Sequence, residues 1–133
     1  MTVSDKQEKA QEKIKTKSGK IKEEDIQNVL NKREKLEKKF QGNGYLGKFL
    51  ANFKIMFSML QDYWYGNYRD VPWMTIAAIV VALLYVLNPV DLIPDFIPVI
   101  GLIDDATIIA ACLSLVQKDL NSYISWKETK EDS

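Results

Sequence analysis

The segment NPVDLIPDFIPVIGLIDD, residues 88–105, decides the reading of this chain. It holds three of the four prolines (Pro89, Pro94 and Pro98) and four aspartates (Asp91, Asp95, Asp104 and Asp105) among mostly apolar neighbours. Each proline fixes its own φ and removes an amide donor. Each also turns the preceding residue away from helix. Asn88 beside Pro89 reads as a helix stop. Gly101 reads as a tight bend or a close backbone approach. The segment is therefore expected to be a built turn shaped by Asn88, Pro89, Pro94, Pro98 and Gly101, with a helix on either side.

Working outward, residues 73–87 read WMTIAAIVVALLYVL and carry no charge. Beta-branched residues allow a strand, but the length, the alanines and the leucines favour a helix. Residues 106–117, ATIIAACLSLVQ, form a second apolar run that Lys118 and Asp119 close. The expected fold is all-α. Its core is a helical hairpin (about 73–87 and 105–118) joined by the Pro/Asp-rich turn. Fifteen residues span about 22 Å, short of a roughly 30 Å hydrocarbon core, whereas about twenty residues, Val71 to Val90, just suffice. On the longer count a transmembrane helix is expected. The second run, about 18 Å long, is too short to span alone. A re-entrant hairpin or a soluble bundle are the alternatives.

Before the hairpin, Leu46, Phe49, Leu50, Phe53, Phe57, Leu60 and Trp64 recur at three- and four-residue steps. This is a strong helical period, and Asp62 falls outside the stripe. An ordinary core helix would explain it. Its breadth and aromatic end also suit a helix at a membrane interface, with Phe49, Phe53, Phe57 and Trp64 facing lipid. Pro72 suits the first position of the next helix.

Residues 1–20 are almost wholly polar, so a solvated or disordered tail is expected, interrupted at Ser18-Gly19. In residues 21–40 a thin stripe of Ile26, Val29, Leu30, Leu36 and Phe40 supports a weakly amphipathic helix. Gln41 to Gly44 read as its stop. The expected division is a charged N-terminal arm, partly helical or disordered (1–42), a helical membrane-associated domain (43–126) and a polar tail (127–133). Tyr123, Ile124 and Trp126 are anchors on the way to that tail.

The net charge of zero hides an asymmetry. Residues 1–40 carry twelve Lys or Arg against eight acids, while residues 71–117 carry four aspartates and no base. The basic arm would suit anionic lipid. Its interleaved acids argue against nucleic acid, and no nucleic-acid partner is expected. The lack of histidine removes His-liganded zinc and histidine-based nucleophile sites. The lone Cys112 excludes an internal disulfide and reads as a packed small hydrophobe. No secretory core opens the chain.

The stretch from Leu87 to Asp105 resembles the signature of the YkvA-like family, a domain of unknown function. The residues that carry it are Asn88-Pro89, Asp91-Leu92-Ile93-Pro94-Asp95, Ile97-Pro98, Gly101 and Asp104-Asp105. The likeness extends over about 73–116, roughly a third of the chain. It implies a small helical module in a membrane setting, known from bacteria and plants. A similar segment occurs in an endoplasmic-reticulum ubiquitin ligase of animals. The resemblance implies no catalytic activity.

The aspartates have two readings. As structural groups, Asp91 caps a short turn and Asp104 or Asp105 caps the following helix. As a cluster, Asp91 and Asp95 share a helical face, and Asp104 and Asp105 complete a Mg²⁺ or Ca²⁺ site. An enzyme is not expected, because no nucleophile or phosphate-loop motif accompanies the acids. The expected protein is a membrane-associated structural or accessory one, with lipid as partner, self-association or an unidentified protein as further candidates, and both termini cytoplasmic. A soluble protein-interaction module working through residues 45–66 is the alternative, and a metal-dependent enzyme a third.

Overall fold

The computed structural model describes residues 3–42, 44–87 and 104–131. Among these the chain is all-α, with helices α1 (Val3–Ser18), α2 (Glu23–Leu30), α3 (Arg33–Gly42), α4 (Gly44–Gly47), α5 (Leu50–Trp64), α6 (Trp73–Leu87) and α7 (Asp105–Glu131). The shaping residues Asn88, Pro89, Pro94, Pro98 and Gly101, and the acids Asp91 and Asp95, lie outside the described residues.

Helix α6 is the axis. It is apolar on every side, and such a helix is stable only when covered all round. Here α1, α2, α3 and α7 all pack on it, and Ile76, Ile79, Val80, Ala82, Leu83 and Val86 are fully buried. Helix α7 runs antiparallel to α6. Thr75 hydrogen-bonds Asp119 near one end and Cys112 Sγ approaches the Ala78 carbonyl further along. Near the other end, Asp105 and Asp104 act electrostatically on Tyr85. Beyond the start of α6, α7 continues alongside α5, where Ser58 and Asp62 reach Tyr123 and Lys127.

Three expectations are corrected. First, no helix of the described residues is long and apolar enough to cross a membrane. The fifteen residues of α6 reach only about 22 Å, which overturns the expected transmembrane helix. Second, residues 3–18 are not a solvated tail. Helix α1 packs on both α6 and α7, burying Ala10, Ile14, Lys17 and Ser18. The Ser18 hydroxyl donates to the Ile14 carbonyl at 2.6 Å, which satisfies it inside that contact. Helix α1 does end at Ser18, as the Ser-Gly pair indicates. Third, the stripe over 21–40 is carried by two helices, α2 and α3, with a break at Asn31 and Lys32. At the other end, α7 runs to Glu131, so residues 127–131 of the polar tail are helical.

Candidate functional site

At the start of α7 the chain supplies its own cap. The Thr107 amide donates to Asp104 Oδ1 at 2.7 Å, and the Asp104 carbonyl accepts the Ile108 amide at 3.2 Å. An aspartate at this position satisfies an otherwise orphaned amide and faces the positive end of the helix dipole. Asp105 is half-buried beside it. Burial pushes its carboxyl above the ordinary range, the Lys39 charge pulls it back, and the Asp104 charge adds to the rise. Burial likewise raises the Tyr85 hydroxyl, reinforced by the charges of Asp105 and Asp104. Among the described residues no three potential ligands come together as a metal site. Of the four aspartates read as an ion cluster, the structure brings Asp104 and Asp105 together, and the other two are outside the described residues.

The aromatic face of α5 points inward. Phe53 is 1% exposed and Phe57 2%. Phe53 stacks on Phe40 with centroids 4.6 Å apart and meets Phe57 at 5.6 Å, while the Arg33 guanidinium lies 5.3 Å from the Phe57 centroid. Phe49 and Trp64 are half-buried against the same core, with Lys48 over the Phe49 ring at 5.2 Å. Of the face read as lipid-directed, Phe53 and Phe57 thus lie inside the bundle, and Phe49 and Trp64 lie at its margin. A period-of-four stripe looks the same in sequence whether protein or lipid covers it.

One polar centre was not foreseen from the sequence. Asp62 falls outside the stripe, yet it is buried between α5 and α7. Its Oδ2 accepts from Tyr123 Oη at 2.5 Å and from Lys127 Nζ at 3.0 Å. Its Oδ1 accepts from Asn67 Nδ2 at 3.4 Å. Ser58 Oγ lies 2.5 Å from the same Tyr123 oxygen, which receives from serine while giving to aspartate. Burial alone would raise the Asp62 carboxyl. The hydrogen bonds from Tyr123, Lys127 and Asn67, with the Lys127 charge, outweigh it and leave the group lowered. Around this centre Tyr68, Tyr123 and Trp126 form a ring cluster with centroids 4.9–5.8 Å apart. Both carboxylate oxygens are committed, and the arrangement ties α5 to α7. The signal available in sequence was Tyr123 and Lys127, one helical turn apart in a polar stretch.

Cys112 is fully buried, and desolvation pushes its thiol up to about 12, which disfavours the thiolate.

The geometry defines a small all-α bundle closed over one apolar helix, capped by Asp104 and locked by Asp62. The profile of the family described as Protein of unknown function (DUF1232) matches residues 75–111, from the first turn of α6 to the second turn of α7. The chain is also 34% identical over 80 residues to the "Uncharacterized membrane protein YkvA" of Bacillus subtilis (strain 168), across 60% of this chain and 76% of that relative. The chain belongs to the DUF1232 family of YkvA-like proteins. No solved structure matches it.

Proposed function

We propose that this protein is a small structural or accessory protein that works at a membrane surface as a closed helical bundle, docked from one side. The observation that carries the reading is the sheathing of α6 by α1, α2, α3 and α7. A chain that keeps its most apolar helix covered meets lipid with its outer surface. The membrane setting is supported by the Bacillus relative, an uncharacterized membrane protein. We place the protein on the cytoplasmic face of the membrane, whose anionic surface attracts the excess of bases in residues 1–40.

The proposal includes no catalytic step and no ion. Asp104 Oδ1 is committed to the Thr107 amide, and we assign it to capping. A protein-interaction role through the 45–66 face is disfavoured because Phe53 and Phe57 are spent on the core.

Fractionation of the untagged protein tests the reading. It is expected to sediment with membranes and to be released by an alkaline carbonate wash. Recovery wholly in the soluble fraction would overturn membrane association. Retention through carbonate would overturn surface docking in favour of insertion.

A further inference from the structure

Between α1, α6 and α7 lies an open groove of about 230 Å³. Its walls are Ile14 of α1, Met74 and Ala78 of α6, and Leu115 and Val116 of α7, with Lys15 on its rim. Two hydroxyls also line it, and both are committed. Ser18 donates to the Ile14 carbonyl, and Thr75 donates to Asp119 Oδ2 at 2.5 Å. The groove therefore offers no free hydroxyl donor to a polar ligand, and its bare surface is aliphatic and thioether. It is smaller than the roughly 300–1,000 Å³ typical of small-molecule sites. That size suits a segment of a single alkyl chain better than a whole metabolite.

The surroundings of the groove carry a distinct charge. The ten residues KIKTKSGKIK, from Lys13 to Lys22, contain five lysines and no acid. They form the last turns of α1 and the turn that follows. Lys15, Lys20 and Lys22 are exposed, as is Lys118, which lies three residues beyond Leu115 on α7. Two of the acids nearby are held by hydrogen bonds. Asp119 is taken by Thr75, and Asp25 accepts the Lys22 amide at 2.8 Å as the opening of α2. Glu12, Glu23 and Glu24 flank the basic run and are exposed. On the α6 side Met74 is 50% exposed, a flexible apolar side chain left at the mouth. Trp73, next to it, packs on Tyr63 with centroids 6.2 Å apart, and Tyr65 beyond is 71% exposed. Amphipathic rings and lysines are the composition favoured at headgroup depth.

We infer that this groove is the membrane-docking site, and that it takes part of one acyl chain of an anionic phospholipid while Lys15 and Lys20 hold the headgroup phosphate. The inference rests on the membrane-surface reading above and names the lipid class and the contact residues. Nucleic acid fits the lysines but not the groove, since strand-binding sites present aromatic platforms for bases and this one is lined by aliphatic side chains.

The test is co-sedimentation of the full-length protein with vesicles of phosphatidylcholine alone and with about one-quarter phosphatidylglycerol. Wild type is expected to prefer the anionic vesicles and to lose that preference with added salt. Lys15→Gln with Lys20→Gln should lower partitioning onto anionic vesicles about thirtyfold. Met74→Glu should weaken binding to both vesicle types. The matched charge change Lys32→Gln with Lys35→Gln, on the exposed face of the 21–40 region, should cost far less. Lys15→Arg should bind like wild type, and circular dichroism should show every variant folded. Equal losses from the two lysine pairs, or full binding by Met74→Glu, would overturn the groove while leaving surface docking standing. Binding to duplex or single-stranded DNA that outcompetes anionic vesicles would overturn the lipid assignment. Failure of wild type to bind any vesicle would remove the membrane reading itself.

Discussion

Helices α1 and α6 are nearly the same length, sixteen and fifteen residues, and pack against each other. Their compositions are opposite. VSDKQEKAQEKIKTKS is mostly charged or polar, and WMTIAAIVVALLYVL has no charge at all. Read separately, the first suggests a tail and the second a membrane span. Together they are a cover and the surface it covers. The contact asks little of α1, among the described side chains only Ala10, Ile14, Ser18 and the stem of Lys17, because α6 supplies apolar surface on every side. A lysine can lay its methylenes on such a surface while its ammonium stays at the edge. Burial is a property of the pair, and periodicity read one helix at a time cannot report it.

The sharpest way to break this comparison is to cut the same side chain on both partners. Ile79 and Ile14 are both fully buried. Ile79→Ala is expected to cost about 2–5 kcal/mol, as other large-to-small core changes do. Ile14→Ala should fall in the same range if α1 belongs to the core. If α1 is only loosely attached, the loss should resemble that of a surface site, within about 0.5 kcal/mol. Urea unfolding of the two variants, with unchanged slope, decides between these.

What was legible in sequence follows the same division. The bounds of α6 were readable because Pro72 opens it and its run is unbroken to Leu87. The start of α7 was readable because a helix cap is local, and Asp104 reaches only three residues ahead. The core stripe of α5 was readable as a stripe, but whether protein or lipid covers it was not. Asp62 was missed for the reason α1 was missed. Its partners Tyr123 and Lys127 lie 61 and 65 residues away, and nothing near it in sequence announces them.

Asp62 gives the next prediction. Asp62→Ala removes the acceptor of the Tyr123 hydroxyl and unpairs Lys127, and should cost about 1–3 kcal/mol. Its pH signature is opposite to that of Asp105. The folded-state carboxyl of Asp62 is lowered below the ordinary value of 3.8. Its stabilisation is therefore full above that value and is lost as pH falls through the lower folded one. Asp105 is raised above 3.8. Its contribution is full below 3.8 and is lost as pH rises through the folded value. Asp62→Asn should therefore flatten the acid-side fall in the unfolding midpoint, while Asp105→Asn should raise the midpoint at neutral pH. Midpoints followed from acid to neutral pH test both signs, and a steeper acid-side fall in Asp62→Asn would show the lock assigned wrongly.

The smallest effect belongs to Asp104, and it separates a local cap from an ion ligand. The cap needs one side-chain oxygen 2.7 Å from the Thr107 amide, and Asn offers such an oxygen as well as Asp does. Asp104→Asn should therefore be nearly neutral, with only the small dipole contribution of the charge lost. Asp104→Ala should cost about 0.5–2 kcal/mol. A Mg²⁺ or Ca²⁺ site built from Asp91, Asp95, Asp104 and Asp105 behaves otherwise. Saturating ion stabilises the folded state by an amount set by its concentration over its dissociation constant, and each Asp→Asn change reduces that gain. Thermal unfolding of wild type and the four Asn variants, titrated with Mg²⁺, Ca²⁺ and EDTA, reads the difference. Capping predicts one midpoint for wild type in all three titrants. A midpoint that climbs with ion in wild type and stays level in Asp104→Asn would make the junction an ion site and the cap its by-product.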